Sequence, residues 1–466
     1  MDIWKNSMTY KIVMAINHFF RNLFANSMFV QGFVKEKDTS ETQKNSIFVK
    51  VMNAIIHFFQ KFFHKLKLDA LLEASIFTKP QVWITFVLAL SPFLPTMLVL
   101  ALVLMSAFSL ILKAFTDTSF ELKYFKTNTW ILAFILVVAF CALTSVSTAE
   151  SIKIGMLTIA FILFYFVWIN TISTKEQMRF YLSVFVIAGT VAALYGLYQY
   201  FFGDIYSQEW LDGNMFEEIK MRVYSTFANP NVFGEYLLLV IPFSIMLLIH
   251  SKGWFGRLFW LANVGILMLA LVLTFSRGCW LGIIFALFVL AILIDKRLIW
   301  AGVLLLFIAP FVLPESIMAR FTSIGNMADT STSYRVYIWL GTIAMLKDYF
   351  LSGVGLGTSS FNLVYPLYAY NDIVAPHSHS LYLQLFVEYG LVGFIVFVGI
   401  IYNFYKETFI AYLKNKNYVT MASIAAITGF LVQSATDYTW YNYRVVLIFW
   451  LVIAIGISST RNELSR

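Results

Sequence analysis

The chain has 466 residues, 60% of them hydrophobic, 18% aromatic and only 12% charged. Soluble domains carry about a quarter charged residues, and a water-soluble fold of this length has no way to hide so much apolar surface, so the composition excludes a soluble protein and calls for the bilayer as solvent. The net charge of +8 does not point to nucleic acid: residues 1–80 hold eleven Lys/Arg against six Asp/Glu and carry most of the excess, as basic segments beside membrane spans do on the cytoplasmic face.

Residues 47–68 place Phe48, Val51, Ile55, Phe59, Phe62 and Leu66 on one helical face, with Lys50, Asn53, His57, Lys61 and His64 on the other. This spacing predicts an amphipathic helix lying in the membrane interface. Residues 10–25 look similar, and Ala15-Ile16-Asn17-His18-Phe19-Phe20 echoes Ala54-Ile55-Ile56-His57-Phe58-Phe59, either as a small duplication or as two independent basic-aromatic helices. Residues 35–46 read as a polar linker between them. No signal peptide is expected, because the first thirty residues lack an apolar core followed by a small-residue cleavage site.

From residue 81 onward the chain is mostly apolar runs near the roughly 20 residues that cross a bilayer. Twelve spans are expected, near 81–93, 95–115, 130–149, 152–172, 180–202, 231–250, 257–275, 278–294, 298–313, 381–404, 419–436 and 443–459. Pro92 and Pro95 interrupt the first long run. With twelve spans, the connections carrying Lys123/Lys126, Lys175/Arg179, Lys252/Arg257, Lys296/Arg297 and Lys406/Lys414/Lys416, and the tail with Arg461 and Arg466, all fall on the side of the N-terminus. By the positive-inside bias that side is cytoplasmic. The fold class expected is an all-α polytopic membrane protein, with residues 1–80 as a basic cytoplasmic or interfacial segment and 81–466 as the membrane domain. Two long segments, 203–230 and 314–380, then face outward, the second between the ninth and tenth spans and with a helix near 334–348.

The outward face also receives the residues suited to chemistry. Of six histidines only His377 and His379 lie there, in Pro376-His377-Ser378-His379-Ser380 just before an apolar run. Imidazole takes a proton readily near neutral pH, although Ser378 or Ser380 capping a helix would explain the same stretch. Arg222, Arg277 and Arg335 join them. Arg277 sits between two apolar runs, where a guanidinium is costly unless paired or bound to an anion, and its planar fork matches phosphate oxygens. An anionic, lipid-linked substrate explains the set. Gly353-Val354-Gly355-Leu356-Gly357 lacks the context of a nucleotide loop and reads as flexible backbone over the membrane. Glu235 and Glu388, near outer span ends, are candidates to orient the histidine or bind a sugar hydroxyl; Tyr365, Tyr368, Tyr370 and Tyr382 are candidates to stack on sugar rings. No carboxylate cluster has metal-ligand spacing, which favours a reaction without metal or other cofactor. Cys141 and Cys279 lie in apolar runs and suggest neither a disulfide nor a thiolate site.

His379-Ser380, nine residues, then Gly390-Leu391-Val392-Gly393 resembles the His-[Asn/Ser/Gln]-x9-Gly-x-x-Gly signature of the O-antigen ligase and polymerase family. His377 does not fit that spacing, because position 388 is Glu. Arg222 through Asn229-Pro230-Asn231, Thr274-Phe275-Ser276-Arg277-Gly278, and Arg335-x3-Trp339 followed by Ser352-Gly353-Val354-Gly355-Leu356-Gly357 are similar to the same family, in the same order. The resemblance spans roughly 80–460. It implies a GT-C-type fold and a metal-independent glycosyltransferase that moves a glycan from undecaprenyl diphosphate to a hydroxyl of a glycan, lipid or protein acceptor outside the cytoplasm. Carried over, His379 is the general base, and Arg335 with Arg277 or Arg222 holds the diphosphate; His377, Glu235 and Glu388 are expected near the substrate. A repeat-unit polymerase, a protein O-glycosylating ligase and a flippase for the same lipid-linked glycan are the alternatives. The basic first eighty residues depart from the family pattern, as does Glu235, which stands at a usually aliphatic position.

Overall fold

The computed structural model describes residues 46–72, 75–203, 219 and 221–461, together with Met8, Met14 and Ala15. The helix expected over 10–25, its echo of 54–59, the linker over 35–45 and most of 203–230 therefore lie outside the described residues. The chain divides into two compact units, residues 1–46 and 47–466, and the second carries the architecture that follows.

Among the described residues the secondary structure is helical, without strands. The main helices are α1 (Ile47–Lys65), α2 (Pro80–Leu90), α3 (Thr96–Thr116), α4 (Lys126–Leu143), α5 (Thr148–Thr171), α6 (Lys175–Phe202), α7 (Pro230–Ile249), α8 (Trp254–Leu273), α9 (Arg277–Ile294), α10 (Leu298–Val312), α11 (Glu315–Thr322), α12 (Thr330–Tyr349), α13 (Gly357–Val364), α14 (Leu381–Asn415), α15 (Tyr418–Gln433) and α16 (Tyr443–Ser458). Each expected span falls on one of these helices, but eight of them are long and apolar enough to cross a membrane, or nine if α10 and α11, bent by 118°, make one span. The twelve expected are not reached by length. At about 1.5 Å per residue, α15 and α16, with 16 residues each, extend about 24 Å, short of the ~30 Å hydrocarbon core, because the chain between them turns to build a polar corner over residues 434–442. The architecture is that of a multi-pass membrane protein, and the long expected loop over 314–380 is itself folded into α11, α12 and α13.

Local sequence sets the helix starts. Asn229 caps α7 by accepting from the N–H groups of Asn231 (2.8 Å) and Val232 (3.4 Å), with Pro230 at the first position. Thr174 and Gln177 form a capping box on α6, and Asp329 caps α12 through the Thr332 N–H. Helix α1, grouped by the sequence with the N-terminal segment, packs on α3 through a Phe59–Phe115 stack at 4.5 Å and through Gln60 Nε2 donating to the Ala114 and Asp117 carbonyls. The centre of the bundle is α16 and α7, whose side chains are almost all buried. Gly282 of α9 and Gly429 of α15 face each other so closely that a Cβ on Gly282 would lie 2.7 Å from the Gly429 carbonyl oxygen. Small residues permit such backbone approach in membrane helices, and this one brings the start of α9 beside the 434–442 corner.

Helix α14 breaks at Gly390 (φ 63°, ψ −170°), a conformation open essentially to glycine alone. The break lets the 350–356 segment dock backbone to backbone: the Leu391 N–H donates to the Phe350 carbonyl (2.8 Å) and the Val354 N–H to the Val387 carbonyl (2.7 Å). The stretch Gly353–Gly357 is thus pinned rather than flexible. Ser145, Ser151 and Ser360 clamp it from the other side, with the Leu356 N–H donating to Ser151 Oγ at 3.1 Å, and a Cβ on Gly355 would fall 1.9 Å from Ser145 Oγ. A Cβ on Gly390 would sit 2.2 Å from the Leu351 carbonyl oxygen. The Gly390→Ala variant is expected to lose at least about 2 kcal/mol of stability, seen as a clearly lower thermal midpoint in detergent; an unchanged midpoint would show that the break relaxes at no cost.

Candidate active site

Four arginines line one cavity of about 350 Å³: Arg222, Arg277, Arg320 and Arg335. The sharp turn between α8 and α9, with Phe275 at φ 49°, places Arg277 at the first position of α9. Its guanidinium grips Asp329 with two bonds, Nη1 to Oδ2 at 2.8 Å and Nη2 to Oδ1 at 3.1 Å, and also donates to Ser323 Oγ at 2.8 Å. Arg320, on the bent helix α11, reaches the same carboxylate at 3.3 Å. Burial pushes the Asp329 carboxyl up, but the Arg277 hydrogen bonds and charge, then the Arg320 charge, outweigh it and hold it below the usual range.

A second carboxylate organises the other side. Asp437, in the corner between α15 and α16, accepts Asn231 Nδ2 on Oδ2 at 2.7 Å and meets His379 Nδ1 at 3.1 Å on Oδ1, with Arg335 Nη2 at 3.8 Å. Burial pushes this carboxyl up too, yet the His379 hydrogen bond and the Arg335 charge bring it well below the ordinary range. An ionised carboxylate only accepts, so the His379 nitrogen facing it, Nδ1, is the donor, and in the neutral imidazole Nε2 keeps the lone pair. Arg222 extends the relay by donating to Asn231 Oδ1 (2.8 Å) and to the Thr274 carbonyl (2.8 Å). Burial, then the charges of Arg320 and Arg335, lower the Arg222 pKa to about 9, which leaves it a cation at neutral pH.

Arg335 sits one turn into α12, bonded to the Ser331 carbonyl at 3.1 Å and to the Ser331 hydroxyl. Its Nε, and Gln433 Oε1 across the cavity, have no hydrogen-bond partner. Buried polar atoms are rarely left so, although both residues line the cavity. Four guanidinium groups against two carboxylates leave the cavity with a net charge of two positive. Among the described residues no three His, Cys, Asp or Glu side chains converge as metal ligands.

The structure therefore brings Arg222, Arg277 and Arg335 together, joins His379 to them through Asp437, and sets His377 against His379 with ring centroids 4.2 Å apart. It does not bring Glu235 or Glu388 to the cavity wall. Glu235 accepts from Ser434 Oγ (2.9 Å) and the Thr439 hydroxyl; Glu388 accepts from Gln384 Nε2 (3.0 Å) and Tyr438 OH (3.1 Å). Both brace the corner that carries Asp437. Of the four tyrosines, Tyr370 is exposed, whereas Tyr365, Tyr368 and Tyr382 give their hydroxyls to the Ile373 carbonyl, Asp348 and the Leu431 carbonyl. Sequence reasoning missed Arg320, Asp329 and Asp437. One signal was present for Asp437: it is the sole carboxylate in a short turn between two apolar runs.

Residues 262–398 match the family model described as O-antigen ligase, a stretch that runs from α8 past the Gly390 break and holds Arg277, Arg320, Arg335 and His379. That stretch is similar to an O-antigen ligase domain. A protein of Rickettsia conorii whose name describes it as a polysaccharide ligase is 22% identical over 161 residues, which is 33% of this chain and 38% of that protein. The chain thus covers under two fifths of the curated relative it matches. Within the matched stretch, the pattern from His379 to Gly393 has a structural meaning: nine residues of helix, about 13 Å, separate the loop holding His379 from the break that accepts the 350–356 segment.

Proposed function

We propose that the protein transfers a glycan from undecaprenyl diphosphate to an acceptor hydroxyl on the extracytoplasmic face of the cell membrane. The observation that carries this reading is the convergence of four guanidinium groups on one cavity, with His379 bonded to Asp437 of the cavity wall. His379 Nε2 takes the proton of the acceptor hydroxyl, the oxygen attacks the anomeric carbon, and the bond from that carbon to the diphosphate oxygen breaks with its electron pair staying on the phosphate. The two negative charges of a diphosphate diester match the net charge of the cavity. In the products the freed diphosphate gains one negative charge and the imidazole gains one positive charge, so the balance is kept through the reaction. Arginines aimed at charge that develops on a leaving group lower the barrier without reorganisation, and they supply what a divalent cation would supply elsewhere, so transfer is expected to proceed in chelator. Arg335 is our candidate to act on the leaving oxygen, because it lines the cavity and lies beside the Asp437–His379 pair.

The lipid tail also finds a place. An apolar groove of about 230 Å³ runs beside the charged cavity, and the two share their helices: Arg277 and Arg320 face the cavity, while Trp280 and Ile284 of α9 and Ile317 and Phe321 of α11 face the groove. In this reading the diphosphate occupies the cavity and the first isoprene units the groove. Filling the groove by Ala309→Trp is expected to lower transfer from the undecaprenyl donor about tenfold and to spare a donor bearing one or two isoprene units; equal loss with both would place the tail elsewhere. Orientation follows from charge. Lys175, Lys252, Lys296 and Lys416 stand at the opposite helix ends from the site, which by the positive-inside bias puts the site outside.

The acceptor class separates a ligase from a repeat-unit polymerase or a protein O-glycosylating ligase. The deciding experiment is in vitro transfer with purified protein, a lipid-diphosphate glycan and a panel of glycan, lipid and protein acceptors, in chelator. Product with one acceptor class supports the proposal and names the branch. Donor movement across vesicles without any transfer product overturns it in favour of a flippase.

A further inference from the structure

His379 adopts a left-handed backbone conformation, φ 50°, which is strained for a non-glycine residue and must be held by its surroundings. Two bonds hold it. The Trp339 indole N–H donates to its carbonyl at 3.2 Å, and its own N–H donates to His377 Nδ1 at 3.3 Å. A side chain two residues away thus takes the backbone donor that the turn would otherwise leave unmatched. His377 is itself immobilised: it is 6% exposed, stacks on Tyr441 at 5.3 Å with rings 19° apart, and contacts Tyr438 at 5.4 Å. Neither histidine lines the arginine cavity, and it is His379 that bonds to Asp437 of its wall. The next residue is pinned as well, the Ser378 N–H donating to Gln384 Oε1 at 2.8 Å and its hydroxyl to the Ser380 carbonyl at 2.9 Å.

We infer that His377 is a positioning residue, whose Nδ1 lone pair holds the His379 backbone in the left-handed turn that aims His379 Nε2 at the acceptor. The inference rests on His379 being the base. It replaces the expectation that His377 touches substrate. The geometry works only while His377 is neutral, since a proton on Nδ1 would face the His379 N–H. Burial, and then the neighbouring His379 ring, draw the His377 pKa down to about 3, so the lone pair is present at every working pH. A direct acid–base role for His377 would need a ring that exchanges protons near neutrality with Nδ1 free of the His379 N–H, and this one meets neither condition.

The test separates acceptor geometry from mere packing. In His377→Leu the volume stays and the lone pair goes. In His377→Asn, Oδ1 occupies nearly the place of Nδ1 and accepts the same N–H. With purified, monodisperse protein, Leu is expected to lower kcat for transfer about 10- to 100-fold, as a displaced base does, with the donor KM within about twofold of the parent. Asn is expected to recover most of that loss. Leu retaining full turnover, Asn failing as badly as Leu, or either variant acting through donor KM alone would each overturn the inference. His379→Ala, run in parallel, keeps the two readings apart: an active His379→Ala removes the base assignment itself, whereas an inactive His379→Ala with an active His377→Leu removes only the positioning role. Where His377→Leu does not fold, the His377→Asn and His377→Gln pair decides. Asn should exceed Gln by about tenfold in kcat, because the longer chain carries its oxygen past the N–H, and equal turnover would overturn the inference.

Discussion

Replacing His379 with alanine is expected to lower glycan transfer by about 10³-fold, within the range general-base catalysis contributes, while the protein still inserts and remains monodisperse. The fold should survive because the imidazole has one side-chain hydrogen-bond partner, Asp437, and its side chain is 21% exposed. After its loss Asp437 keeps Asn231 Nδ2 at 2.7 Å and the Arg335 charge, so no buried carboxylate is left uncompensated. The arginine cavity also remains, so binding of the lipid diphosphate should be retained. The variant therefore separates chemistry from binding: turnover vanishes and donor affinity stays. Near-normal turnover would mean that another group takes the acceptor proton.

The second large effect is expected at Asp437. Asp437→Asn preserves shape but replaces two accepting oxygens with one oxygen and an NH2 group. The amide can accept from Asn231 or from His379, not from both, and toward one of them it presents a donor. If that one is His379, the imidazole moves its proton to Nε2 and ceases to be a base at the atom facing the acceptor. Loss of an orienting carboxylate through the wrong tautomer costs up to about 10⁴ in turnover in a hydrolase triad, and a loss of roughly 10² to 10⁴ is expected here. The sign on donor binding is opposite. Removing a negative charge beside Arg335 makes the cavity more positive, so the donor KM should hold or fall. A raised KM with unchanged kcat would show that Asp437 serves the arginines rather than the histidine.

The membrane class and the helix positions were legible because they rest on local signals, runs of apolar residues broken by polar or basic turns. Span lengths were less so. Periodicity does not reveal that α15 and α16 stop at 16 residues, since the corner between them, residues 434–442, is set by tertiary partners such as Glu235. Arg222, Arg277, Arg335 and His379 could be picked out because charges and imidazoles stand out in an apolar chain. Their pairing could not, because the groups that organise them are distant: Asp329 lies 52 residues beyond Arg277, and Asp437 lies 58 beyond His379. Each is an ordinary helix-end carboxylate until the bundle closes. The partners of Glu235 and Glu388 were hidden for the same reason, since a buried carboxylate near a span end looks alike in sequence whatever it meets; in the fold they accept from the hydroxyls of Ser434, Thr439 and Tyr438. The glycines of Gly353–Gly357 suggested looseness, whereas their small size permits the closest backbone packing near the site.

The arginine cavity as the seat of a lipid diphosphate is tested most directly by an electron cryo-microscopy structure of the protein with an undecaprenyl-diphosphate glycan. The account predicts both phosphates within hydrogen-bond reach of Arg335 and at least one of Arg222, Arg277 and Arg320, the anomeric carbon on the His379 side, and the first isoprene units against Trp280 and Phe321. A donor bound with its phosphates away from these guanidinium groups would contradict it.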